Sequence, residues 1–170
     1  MRSLSHAASE RVYPGRMRRG VAWTLVAIQF ALLALLIAIP AGELYSVGAG
    51  ITVVSMVLVG VGIVIGMIAG ARLGGSLTPS PIPKAASELT TSGIYRFVRH
   101  PIYSALLLVA LGLAIRGASL LHALVLAGLI ILLQVKARAE EAMLLKKFQG
   151  YASYAARVGR FVPGVGTIRD

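Results

Sequence analysis

The sequence contains no cysteine, and only 6 of its 170 residues are Asp or Glu. The first absence excludes a disulfide framework, a thiolate metal site and a cysteine nucleophile. The second, with charged residues at 14% against about 25% in an average domain, excludes a soluble globule, because too few polar side chains are present to cover one. Histidine is scarce as well. His6, His100 and His122 stand far apart with no neighbouring acidic pair, so no metal site is expected. Apolar residues take up the difference, at 57% of the chain and a mean hydropathy of +0.82. That is the composition of a protein that lives in a bilayer.

Val21 to Ile39 and Val47 to Ala71 carry no charge, and at 1.5 Å per residue even the shorter reaches roughly 28 Å, enough to cross the hydrocarbon core. Pro101 to Val135 is a third apolar block, interrupted only by Arg116-Gly117-Ala118-Ser119. A charge beside small turn-forming residues marks a hairpin of two helices. Its first arm, Pro101 to Ile115, is roughly 22 Å long if helical, so it is expected to be a short span or a re-entrant one. The chain thus reads as an all-α integral membrane protein of about four transmembrane helices, followed by a C-terminal amphipathic segment. Gly62, Gly66, Gly70 and Gly74 recur at four-residue spacing in the second span, stripping one helix face for close packing. Gly74 to Lys84 (GGSLTPSPIPK) has prolines at alternate positions and is expected to be extended.

Every one of the 17 basic residues except Arg116 falls in the N-terminal tail, in the loop after the second span, or after Val135. Loops retained in the cytoplasm carry such an excess. The net charge of +11 is therefore topological and implies anionic lipid headgroups as partners, with no nucleic acid. Four regions follow: a basic cytoplasmic tail (1–20), a two-helix anchor (21–71), a cytoplasmic loop (72–100) and a hairpin with its C-terminal segment (101–170). Pro40 follows the first apolar run where a small-residue cleavage site would stand, so no cleaved signal peptide is expected. The membrane is taken as the plasma (inner) membrane.

Polar detail concentrates in two places. Tyr95, Arg96, Arg99, His100 and Tyr103 surround the start of the third span, with Pro101 at the first helical position, where proline loses no donor. Helix amides and a guanidinium there suit a carboxylate or phosphate, or else form an interfacial girdle touching lipid phosphates. The second place is KARAEEAMLLKKFQGYASYAARVGRFVP after the fourth span. At 100° per residue Glu141 shares the apolar stripe of Ala137, Leu144, Leu145 and Phe148, whereas Glu140 lies near Lys136 and Lys147. Glu141 is thus expected to point into a helix-lined pocket, with a structural pair to Arg138 or Arg99 as the competing reading. Glu140 is expected nearer water, as a surface partner of Lys136.

Taken together, GIYRFVRHPIY (Gly93 to Tyr103), RAEE (Arg138 to Glu141) and the Phe-, Tyr- and Arg-containing tail up to Pro163 resemble the integral-membrane methyltransferases related to isoprenylcysteine carboxyl methyltransferase and phosphatidylethanolamine N-methyltransferase. The resemblance implies S-adenosylmethionine as cofactor, in a cytoplasm-facing pocket of the last two transmembrane helices and the C-terminal segment. Tyr95, Arg99, His100, Pro101 and Tyr103 would line it and Glu140 and Glu141 would close it, with Glu141, Arg99 and His100 as the catalytic group. Ala105 stands where the family commonly has glycine. Gln149-Gly150-Tyr151 shortens the family's spacing by one residue, which leaves Arg157 and Arg160 as candidate substrate or cofactor contacts. The acceptor implied is a carboxylate or amine of a lipid or prenylated molecule. Sterol reductases share a similar R-H-P-x-Y pattern, so an NADPH-dependent membrane reductase is an alternative, and a non-catalytic lipid-binding helical module is another.

The charge layout predicts that a Cys placed at Ser87 is shielded from an impermeant maleimide added outside sealed cells, while a Cys at Glu43 is labelled. Labelling of both, or of the Ser87 position alone, overturns the orientation.

Overall fold

The computed structural model describes residues 18–82 and 88–168. The remainder of the basic N-terminal tail, with His6, and Lys84, Ser87 and Arg169 lie outside the described residues. The elements are α1 (Arg19–Ala38), α2 (Ala49–Leu73), α3 (Pro101–Gly117), α4 (Leu120–Lys147) and α5 (Tyr151–Ala155), with short 3-10 turns at Gly74–Ser76 and Gly93–Arg96. Helices α1, α2 and α4 are long and apolar enough to cross a membrane, and α3 is a shorter apolar helix. The protein is an all-helical integral membrane protein, as the composition requires.

Local sequence explains the boundaries. Pro40 ends α1 by holding Ile39 extended. Gly74 ends α2 at a positive φ of 48° that a Cβ disfavours. The hairpin turn is narrower than Arg116-Gly117-Ala118-Ser119, because α3 continues to Gly117 and α4 begins at Leu120. Ser119 caps α4 by accepting from the His122 amide. Helix α4 then runs unbroken for 28 residues, roughly 42 Å, so its last third carries the acidic pair on the same rod that crosses the membrane.

The first two helices pack against the second two, α2 along α3 and α1 along α4. Leu36, Ala110, Leu129, Leu132 and Leu133 form the interior, while Val53, Met56, Ile63, Met67 and Ile131 turn outward, as lipid-facing side chains do. The glycine stripe is used for approach. A Cβ on Gly62 would sit 2.8 Å from the Ala105 carbonyl oxygen, and Ala105 itself lies against Gly66. From the other side, Gly112 brings α3 onto α2 at Ser55.

Both hairpin connections lie at one end. The Gly42 amide donates to Gly117 O (2.8 Å), the Leu44 amide to Ala118 O (2.9 Å) and the Tyr45 hydroxyl to Ile115 O (2.5 Å). The described parts of the 72–100 segment and of the tail after α4 gather at the opposite end, the near end. Inside the bundle Lys136 is fully buried and donates to Gln29 Oε1 on α1 and to Pro79 O of the proline-rich segment.

Gly112→Ala would place its Cβ 2.7 Å from Ser55 O, and forced backbone separation of this kind costs about 1–3 kcal/mol. Gly60→Ala meets nothing within 4 Å and should stabilise by up to about 1 kcal/mol through helix propensity. Denaturant unfolding in detergent micelles should therefore move in opposite directions for the two variants.

Candidate active site

The near end is organised by a strand-like crossing of the tail over the start of α3. The Arg99 amide donates to Gly159 O (2.8 Å) and the His100 amide to Arg160 O (3.0 Å). Gly159 makes the crossing possible, since a Cβ there would fall 2.1 Å from Val162 O. The two amides before Pro101 are thereby occupied by backbone, and the open anion site expected at this cap is filled by the protein's own tail.

The Arg99 side chain extends this closure. Its Nε donates to Glu141 Oε1 (2.9 Å) and its Nη2 approaches the same oxygen at 2.8 Å and donates to Gly166 O (2.8 Å). Its Nη1 donates to Ala155 O (2.9 Å) and to Val158 O. All five guanidinium donors thus have protein acceptors. Glu141 also accepts from Arg160, whose Nη2 reaches Oε2 at 2.7 Å while its Nη1 donates to Gln134 Oε1. His100 Nε2 completes the cluster, 3.1 Å from Glu141 Oε1.

The adjacent acid is placed differently. Tyr103 Oη donates to Glu140 Oε2 (3.1 Å), and His100 Nδ1 lies 3.7 Å from the same oxygen. The His100 ring is stacked on Tyr103 at 5.3 Å and meets Phe161 edge-on. Glu140 faces a cavity of about 100 Å³ whose walls include Thr78, Ser80, Tyr95, His100, Leu144, Phe148, Tyr151 and Tyr154. A recess of about 50 Å³ beside it is lined by Glu140, Pro101 and Tyr103.

The tyrosines supply neutral O–H groups. Tyr154 is pushed up to about 12 by burial, with the Arg99 charge acting in the opposite direction, and burial raises Tyr95 and Tyr151 as well. Tyr154 donates to Tyr95 O and Tyr95 to Ala69 O. The buried Tyr151 hydroxyl has no partner among the described residues.

Several expectations are corrected by this geometry. Glu141 is indeed the more buried acid, its side chain 3% exposed against 27% for Glu140, but it meets Arg99 and Arg160 and lines neither cavity. Of the adjacent pair, Glu140 is the one that lines the cavity, together with Glu88 from the segment before α3. The hydrogen-bond partner of Glu140 is Tyr103 on α3, because Lys136 turns inward to Gln29. Arg138 is not the partner of Glu141. Arg160 belongs to the ion cluster, and Arg157 is exposed, its Nε donating to Ser153 O of its own helical turn. Tyr95, Arg99, His100, Pro101, Tyr103 and Glu140 do come together around the cavities. Thr78, Ser80, Leu144 and Phe148 were not singled out as site residues by sequence, which gave no signal for the two hydroxyls on the proline-rich segment.

Residues 51–150 match the sequence profile of the phospholipid methyltransferase family. Among solved structures, the chain resembles the eukaryotic intramembrane Ras methyltransferase ICMT, an isoprenylcysteine carboxyl methyltransferase. The TM-score is 0.64 at 21% identity, covering 88% of this chain and 52% of that one. The likeness is one of fold, and the chain spans about half the length of that protein. No curated protein matches the sequence.

Glu141→Gln leaves Arg99 and Arg160 buried without a counter-charge, and breaking a buried ion pair in this way costs about 3–5 kcal/mol. Glu140→Gln gives up a hydrogen bond at a partly open position, for about 0.5–1.5 kcal/mol. Unfolding of the matched pair, together with protease cleavage after Ala155 in Glu141→Gln alone, checks the assignment.

Proposed function

The chain belongs to the phospholipid methyltransferase family, and on that premise we propose that it moves a methyl group from S-adenosylmethionine to a carboxylate or amine of a lipid or prenylated acceptor held in the bilayer. The observation that carries this reading is the near-end cavity, where Glu140, held by Tyr103, shares the lining with Glu88, Arg99, His100 and a Tyr151 hydroxyl that has no partner among the described residues.

The donor set fits such a cofactor. An ammonium or a ribose hydroxyl finds an acceptor in Glu140, a buried polar atom finds a partner in Tyr151 Oη, and Leu144 and Phe148 offer an apolar wall to a base. The volume of about 100 Å³ is below the roughly 300 Å³ or more of a pocket that buries a whole small molecule, so a bound cofactor would extend beyond the cavity as it stands.

When bound, S-adenosylmethionine supplies a methyl group on a sulfonium, already activated for in-line displacement. The protein then has to position and exclude water more than to activate. Glu140 orients the cofactor, and Tyr103 and His100 hold Glu140. The Arg99–Glu141–Arg160 cluster fixes the tail that roofs the site. A carboxylate acceptor needs no base. An amine acceptor must give up a proton, and Glu140, whose oxygen is both open and hydrogen-bonded, is the group placed to take it. The basic residues gathered at this end support a cytoplasmic orientation for it. Neither the reductase nor the non-catalytic reading gains support from the family match.

Equilibrium binding of S-adenosylmethionine to the detergent-purified chain, followed by transfer of labelled methyl to fractionated membrane lipids, tests the reading. Glu140→Gln should weaken binding at least tenfold, about 1.4 kcal/mol, in protein that remains folded, and Tyr151→Phe should cost about 1 kcal/mol. Absence of both binding and transfer in folded protein overturns it.

A further inference from the structure

A second cavity lies at the opposite end from the candidate active site. Its volume is about 730 Å³, and it sits between the α1–α2 connection and the α3–α4 turn. Its frame is fixed, because the hydrogen bonds from Gly42, Leu44 and Tyr45 join those two connections. A Cβ on Gly42 would fall 2.5 Å from Ser119 Cβ, so the two segments are in direct contact. His122, 2% exposed, forms part of the wall. Its ring lies against Gly117, its Nδ1 is held by Ser119 Oγ at 2.7 Å, and its Nε2 has no partner among the described residues.

Two charges line this cavity, Glu43 and Arg116. Neither forms an ion pair or hydrogen bond with the other or with any described residue. Opposite charges that share a cavity without neutralising each other are complementary to a ligand carrying both signs at a similar separation. The remaining walls, Leu36, Ile39 and Leu113 among them, come from helix ends at the edge of the apolar bundle. An occupant therefore has both charged and apolar residues to meet.

We infer that this cavity binds a zwitterionic group, an ammonium against Glu43 and a phosphate against Arg116 and His122, presented by a phospholipid of the leaflet opposite the candidate active site. The inference is independent of the methyl-transfer reading, since no residue of the cavity belongs to the near end. A lipid headgroup and a free aminoalkyl phosphate share this chemistry, and the apolar walls favour the lipid.

The test is native mass spectrometry of the full chain released from micelles, titrated with dioleoyl phosphatidylethanolamine, dioleoyl phosphatidylglycerol or soluble phosphoethanolamine. Arg116→Gln should weaken both lipids at least tenfold. Glu43→Gln should weaken only phosphatidylethanolamine, because phosphatidylglycerol has no ammonium to lose. Both side chains are exposed, so folding should be preserved, and unchanged denaturant unfolding in micelles is the control that the variants are intact. Equal phosphatidylethanolamine affinity in wild type and both variants overturns the site. Retention of soluble phosphoethanolamine, with no lipid retained, overturns the assignment to a lipid.

Discussion

The carboxylate of Glu141 is the point on which the near end depends. It joins α4, the start of α3 through Arg99 and His100, and the tail through Arg160, and each of these elements reaches it from a different part of the chain. A lone buried carboxylate is costly in a medium of low dielectric, and so is a lone buried guanidinium. The cluster is tolerable because its hydrogen bonds are complete: Arg99 spends its remaining donors on Ala155, Val158 and Gly166 carbonyls, which lack partners in any regular element. The arginine therefore neutralises the acid and terminates the tail's unpaired backbone at once.

Such saturation divides the work between neighbouring acids. Residues adjacent on a helix point about 100° apart, so α4 cannot turn both Glu140 and Glu141 toward the same partner. The one under α3 and the tail became structural, and the one beside Tyr103 kept an oxygen facing the cavity. His100 lies between them, with a carboxylate opposite each ring nitrogen. Any change in the charge of the pocket-facing acid is consequently felt at the same imidazole that contacts the structural one.

Much of the architecture was legible in the sequence because it follows from local rules. Charge-free runs gave the long helices, Arg116 to Ser119 gave the hairpin, Pro101 gave the start of α3, and the spacing of Gly62 and Gly66 gave the close face of α2. The helical-wheel argument ranked the burial of the two glutamates correctly. It favoured a pocket for Glu141 and kept a pair with Arg138 or Arg99 as the competing reading, of which the Arg99 pair is the one found. Periodicity identifies a buried face and says nothing of what covers it. Arg99 and Glu141 are 42 residues apart, and tertiary structure decides between the two readings by giving every donor of the guanidinium a protein acceptor. The far-end cavity was hidden for the same reason, being built from two turns that share no motif.

The buried contact between Lys136 and Gln29 has a consequence for how the molecule is made. The two side chains are 107 residues apart, so during synthesis α1 reaches the bilayer long before its partner exists. An amide stranded in hydrocarbon is unfavourable, and α1 has no other strongly polar side chain in its middle to settle its depth or rotation. The register of α1 against α4 is thus set only once α4 has been made, and until then Gln29 lacks the ammonium group that satisfies it.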